Sequence, residues 1–175
     1  PTTWEVFTLM SWRDKRMAAL SQAGLVEKFV DALIWVVYPV YLYERGLSLA
    51  HIGWVVGVYG FVWGGSQFFT GRLSDRIGRQ KPIVWGMWIC GAGVAMMLAG
   101  EAVWWWIASA AITGFGMALL YPNLSAAVAD IAHPNWRGSA IGIYRFWRDL
   151  GYGIGALALG IVASFSGAIE EAFWF

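Results

Sequence analysis

The stretch Gly71-Arg72-Leu73-Ser74-Asp75-Arg76-Ile77-Gly78-Arg79-Gln80-Lys81 constrains this chain more than any other. It is a short basic turn carrying two glycines, set between two long apolar runs, Ala50 to Thr70 and Pro82 to Ala99. Each run is long enough to cross a bilayer, because a hydrocarbon core about 30 Å thick takes roughly 20 residues of helix. Four cations and one acid in so tight a turn cannot sit in lipid. The turn therefore fixes one face of a membrane hairpin.

Composition agrees. Hydrophobic residues make up 59% of the chain and charged residues 13%, against about 25% charged in soluble domains. Glycine (22) and tryptophan (13) are abundant; glycine is frequent in membrane helices and tryptophan collects at the water interfaces. Cys90 stands alone inside an apolar run, which excludes a disulfide framework and a cysteine metal site. No signal-peptide pattern is present. Because Pro1 opens the chain and Ala172-Phe173-Trp174-Phe175 begins a further apolar run, the chain is expected to be a segment of a longer one.

Apolar periodicity predicts an all-α membrane bundle with spans over 17–43, 50–70, 82–99, 103–128 and 139–163, and a truncated sixth at 171–175. Residues 1–16 read as a polar, amphipathic cytoplasmic linker ahead of the bundle at 17–175, either a tether or a segment lying on the membrane surface. Pro39 and Pro122 fall within spans, where a kink or local unwinding is expected. Arg13, Lys15, Arg16, Arg72, Arg76, Arg79, Lys81 and Arg137 fall on one side of the alternating spans, and Arg45 alone on the other. The positive-inside rule puts the lead-in, the basic turn and the His133–Arg137 turn in the cytoplasm. Trp104, Trp105 and Trp106 then stand where an outer aromatic belt would lie, or simply face lipid.

Small residues repeat every four positions at Gly53/Gly57 and Gly60/Gly64, at Ala110/Gly114/Ala118, and at Gly151/Gly155 with Ala156/Gly160. Such spacing lets helix backbones approach closely in lipid, so the second, fourth and fifth spans are expected to be the tightly packed ones. The third has only Gly86, Gly91 and Gly93.

Charges inside spans cost roughly 2.5–3.5 kcal/mol each on insertion scales and mark functional sites by default. Glu27, Lys28 and Asp31 fall within one turn of the first span, with Trp35 and Tyr38 continuing the stripe. Arg145, Arg148 and Asp149 share a face of the fifth span with Tyr152. In the functional reading, Asp31 or Glu27 takes and releases a proton while Arg145 or Arg148 binds an anionic group. In the structural reading, the same groups neutralise one another as static ion pairs or reach water near the helix ends. The two histidines, His51 and His133, lie at span ends on opposite faces, which excludes a haem held by paired histidines within the membrane. No metal-ligand cluster, phosphate loop or nucleophile–base pair appears, so no cofactor and no enzyme activity are expected.

The basic turn resembles the signature loop of the major facilitator superfamily, G-x-L-x-D-R-x-G-R-[RK]. It matches at Gly71, Leu73, Asp75, Arg76, Gly78 and Arg79, and departs with Gln80 in place of a basic residue, followed by Lys81. Arg137-Gly138, Gly142, Tyr144, Asp149-Leu150-Gly151 and Gly155 resemble the family's stretch at the fifth helix of each half, without the proline of the proton-antiporter glycine-proline motif. The resemblance implies one six-helix half of a transporter, and the basic lead-in is similar to the segment linking the halves, which favours the C-terminal half. It also implies that the first, second, fourth and fifth helices face a central cavity, and that Gly71, Asp75, Arg76, Gly78 and Arg79 act as a conformational latch. The implied partners are the lipid bilayer, a second six-helix half, a small solute and protons, with no nucleic acid. The expectation is proton-coupled symport or antiport of a polar or charged solute across the inner membrane. The alternative is a transporter-like module that senses or assembles without transporting.

Overall fold

The computed structural model describes residues 1–166 and 169–174. Among them every regular element is helical. Helix α1 (Thr3–Thr8) runs into a π-helical turn at Leu9–Arg13, and α2 (Lys15–Ala32) passes through a second, Leu33–Val37, into α3 (Tyr38–Glu44). Then follow α4 (Leu49–Ile77), α5 (Gln80–Leu98), α6 (Val103–Ile131), a 3₁₀ turn at Pro134–Trp136, α7 (Arg137–Ser166) and a 3₁₀ turn at Ile169–Phe173. The expected sixth span at 171–175 thus begins as that turn, with Phe175 outside the described residues.

Local chemistry sets these boundaries. Asp14 starts α2 by accepting from the backbone N–H groups of Arg16 and Met17 at 2.9 and 3.0 Å, and Ser48 starts α4 by accepting from that of His51. The basic turn is shorter than its sequence suggests. Helix α4 continues through Gly71–Ile77, leaving only Gly78 and Arg79 before α5. Gly78 makes the break at φ +86°, a conformation that side chains with a Cβ resist, while its N–H still reaches the Ser74 carbonyl.

Neither proline breaks its span. The two π turns' ends differ in sequence, but the second widens directly before Pro39, with the Tyr38 N–H bonded to the Leu33 carbonyl. The helix absorbs the proline as an i−5 turn. At Pro122, α6 runs straight on. A proline leaves the carbonyl four residues earlier without its helical donor, here Ala118, and the Thr70 hydroxyl on α4 donates to that oxygen at 2.7 Å.

Helix α6 is the centre of the bundle, packed along α4 on one flank and α5 on the other; α2 pairs with α7 and also meets α6. Glycine decides where backbones touch. A Cβ at Gly151 would strike the Leu25 backbone, and one at Gly155 would lie 3.2 Å from Ala32 and Phe29. A Cβ at Gly114 would meet the Tyr59 carbonyl, and Gly86 and Gly116 face each other across α5 and α6. Two of the small-residue expectations need correction. Gly53, Gly57, Gly60 and Gly64 have open space at their Cβ positions, as does Gly160, whereas Gly86 and Gly93 of the third span lie hard against α6. A four-residue repeat specifies a smooth face but not what meets it.

The tryptophan cluster also divides. Trp104 is exposed, while Trp105 and Trp106 turn inward and donate to the Met96 and Met97 carbonyls, tying α5 to α6. The lead-in is ordered against the bundle. Val6 and Met10 are buried, Phe7 stacks on Trp147, and the Trp147 indole N–H donates to Ser11 Oγ at 2.9 Å.

By length and composition alone, two helices among the described residues, α5 and α6, are apolar enough to cross a membrane. Helices α2, α4 and α7 are as long or nearly so; α2 and α7 carry charges within their length, and α4 carries Arg72, Asp75 and Arg76 at its end.

Candidate functional site

Asp31 is the hub. Its carboxylate is almost fully buried, and its two oxygens accept three bonds. Lys28 Nζ reaches Oδ2 at 2.7 Å, while Trp35 Nε1 and Tyr59 OH reach Oδ1 at 3.0 and 2.8 Å. Lys28 and Trp35 lie three and four residues either side on the same helical rod, so α-helical spacing delivers them. Tyr59 comes from α4 and stitches the two helices together. Each oxygen therefore meets a donor, as burial of a charge requires.

Around this hub lies an aromatic wall that the sequence pattern did not single out. The Lys28 ammonium stands 5.5 Å from the centre of the Trp63 ring and 5.7 Å from that of Tyr121. Arg148 of α7 stands 5.4 Å from the same Tyr121 ring. Cations over ring faces gain about 0.5–2 kcal/mol by the ring quadrupole. Helices α2, α4, α6 and α7 thus all contribute to a single cluster, α2 and α4 two side chains each. A lysine three residues from an acid is legible in sequence; a tyrosine on α6 facing an arginine on α7 is not.

The remaining charged positions separate. Arg148 pairs with Asp149 through Nε and Nη2, at 2.9 and 2.8 Å to one oxygen. Arg145 is exposed, with no hydrogen bond or ion pair among the described residues. Tyr152 is partly exposed one turn beyond Arg148. Glu27 differs from all of these. It is completely enclosed, and neither carboxyl oxygen has a hydrogen-bond partner among the described residues. It lies within electrostatic reach of Lys28 and Arg148 without bonding either. Tyr38 leaves the stripe, burying its ring beside Phe173.

At the basic-turn end, Arg79 gathers three partners. It pairs with Asp75 at 2.8 Å and with Asp130 of α6 at 3.1 Å, and donates to Ser74 Oγ at 2.9 Å. The Asp130 hydrogen bond raises the Arg79 guanidinium above its ordinary value against the opposing cost of desolvation, with Asp75 adding to the rise. Asp75 sits in the last turn of α4 rather than at a helix N-terminus, and it pairs within the loop. Among the described residues Arg76 and Gly71 make no such contact, and a Cβ at Gly71 would have nothing within 4 Å. At the opposite end Arg45 holds Glu101 at 2.9 Å and Glu170 at 3.0 Å, with the Tyr41 ring beneath its guanidinium.

Among the described residues no group of three metal-ligating side chains occurs. The sequence profile of the Major Facilitator Superfamily matches residues 21–175. An uncharacterized MFS-type transporter of Salmonella typhimurium is 30% identical over 66% of this chain and 30% of its own length. The multidrug resistance protein MdtH of Cronobacter sakazakii is 28% identical over 81% of this chain and 38% of its own. The inner membrane transport protein YajR of Escherichia coli is 28% identical over 74% of this chain and 28% of its own. The chain spans about a third of the length of the curated relatives it matches.

Proposed function

The chain belongs to the Major Facilitator Superfamily, and from that premise we propose that it is part of an integral membrane transporter that carries a small polar or charged solute, coupled to protons, by alternating access. The observation that carries the proposal is the Asp31 network: a carboxylate enclosed among membrane helices, held by Lys28 on its own helix and Tyr59 on the next. An intramembrane ionisable group is expensive and is kept for function. Four of this chain's helices contribute to the cluster, which supports placing it on the cavity side. The other part of a midplane site would come from the second half of the full protein, against which this half rocks.

In this reading Asp31 or Glu27 carries the proton. Asp31 exchanges its partners as the solute arrives. Glu27 has no partner to lose, so uptake of a proton there leaves no hydrogen bond broken. Lys28, Arg148 and Asp149 meet the solute, with Arg145 and Tyr152 at the margin. The Arg79 cluster acts as a latch by tying the α4–α5 turn to the end of α6, on the cytoplasmic side of an inner membrane. The basic lead-in supports assignment to the C-terminal half.

The test uses full-length protein in proteoliposomes, with a solute panel and an imposed pH gradient. Uptake driven by the gradient in the parent, and lost in Asp31→Asn and Arg148→Ala, is the expected result. Unchanged uptake in both variants overturns the site, and uptake indifferent to the gradient overturns proton coupling. A well-folded full protein that carries no member of the panel favours the sensor or assembly alternative.

A further inference from the structure

We propose that the solute is an organic anion whose carboxylate or phosphate group docks between Lys28 and Arg148, against the ring of Tyr121; this rests on the transport reading of the same cluster. The two cations stand at 5.7 and 5.4 Å from the centre of one ring, brought there from α2 and α7. Each already has one acid partner, Lys28 in Asp31 and Arg148 in Asp149. No described side chain bridges them. An oxyanion that reaches both takes charge-assisted hydrogen bonds from the donors they leave unused.

The distribution of free donors and acceptors points the same way. An ammonium has three donors and a guanidinium five. Lys28 uses one on Asp31 and aims the rest of its charge at rings. Arg148 directs two at a single oxygen of Asp149, leaving its other donors unassigned, and Arg145 uses none among the described residues. The carboxylates are more fully committed. Both Asp31 oxygens are bonded, and Glu27 is sealed from solvent. Among the described residues the unbonded acid oxygens of the cluster are the two of Glu27, enclosed in the bundle, and the second of Asp149, on a side chain 62% exposed.

The aromatic groups have a second consequence. Trp63 and Tyr121 hold the two cations by their ring faces, which fixes position without consuming N–H donors. The tilt of Trp63 against Tyr121, ring centres 5.5 Å apart and nearly perpendicular, sets that geometry. The cations are thereby pre-organised, so little ordering entropy is left for the ligand to overcome.

The test measures binding to, and uptake by, full-length protein with compounds of matched body and different charge: benzoate, phenyl phosphate, benzamide and benzylamine, then succinate, succinamide and 1,4-diaminobutane. Anionic members alone should raise the melting temperature and be carried. Benzoate against phenyl phosphate decides between the two oxyanions. Affinity for the anion should fall about tenfold or more in Lys28→Met and Arg148→Met, and Lys28→Arg should restore most of it. Asp149→Asn, which frees Arg148, should keep or tighten anion binding. Preference for the amines, weakened by Asp149→Asn, overturns the anion assignment while leaving transport intact. Anion binding that survives both Lys28→Met and Arg148→Met overturns the placement. Failure to bind or carry any member, of any charge, overturns the transport reading itself.

Discussion

Gly151→Ala places one methyl group where α2 and α7 meet. The new carbon would lie 2.8 Å from Leu25 Cα and 2.9 Å from Leu25 C, and nearer still to the Leu25 carbonyl oxygen. Non-bonded carbons settle at about 3.5–4.0 Å, and these atoms are backbone, so no rotamer can yield. The helices must part by several tenths of an ångström, and overpacking of that kind costs about 1–3 kcal/mol. Alanine also favours a helix over glycine by about 1 kcal/mol, which masks part of the loss. Gly153→Ala removes the ambiguity, since it lies on the same helix with nothing within 4 Å of its Cβ position. The propensity gain is common to both variants, so Gly151→Ala should be less stable than Gly153→Ala by about 1–3 kcal/mol. Reversible detergent unfolding of the full-length protein measures that gap. Equal stabilities would refute close α2–α7 packing, and with it the geometry that brings Lys28 and Arg148 to one ring.

Thr70→Val should cost about 1–2 kcal/mol, because it strands the Ala118 carbonyl that Pro122 deprives of its donor; in a Pro122→Ala background the same change should cost little, and a double-mutant unfolding cycle checks it. Arg45→Gln should loosen the end of the bundle opposite the basic turn, read as faster hydrogen exchange at residues 99–102. Glu170 is held below its ordinary value first by its own backbone N–H and then by Arg45. The stability it contributes is therefore fully present above the ordinary carboxylate range and lost as pH falls through the depressed value. The parent should show that acid-side loss, and Arg45→Gln should show less of it across a pH series of melting temperatures. For orientation, single cysteines at Arg72 and Glu101 in a Cys90→Ala background should label from opposite sides of the membrane, Arg72 from the cytoplasm; labelling of both from one side would refute the topology.

Much of the fold lay open in the sequence because lipid imposes one rule: long apolar runs become helices, and charges mark their ends. The all-α class and the helices flanking the basic turn follow from it, while the family resemblance rested on the motifs at Gly71–Arg79 and Arg137–Gly155. Helix ends proved less legible. Residues 71–77 carry charges yet stay helical, since a helix can project beyond the hydrocarbon into water before Gly78 breaks it. Glycine stripes misled for a different reason. Gly53 and Gly57 are spaced like Gly151 and Gly155, but spacing carries no information about the partner. Within the site, Lys28, Asp31 and Trp35 were visible through helical periodicity. Tyr59, Trp63 and Tyr121 were not, because aromatic residues are common throughout and only the packing of α4 and α6 turns these three toward Lys28 and Asp31.

The central claim is that the carboxyl groups of α2 couple solute to protons. It is tested most directly by proton exchange with purified full-length protein in weak buffer as the carried member of the anion panel is added. The account predicts a pH change that saturates with the ligand and disappears in the Asp31→Asn, Glu27→Gln double variant, while that variant still binds the ligand. An undiminished proton exchange in the double variant would contradict it.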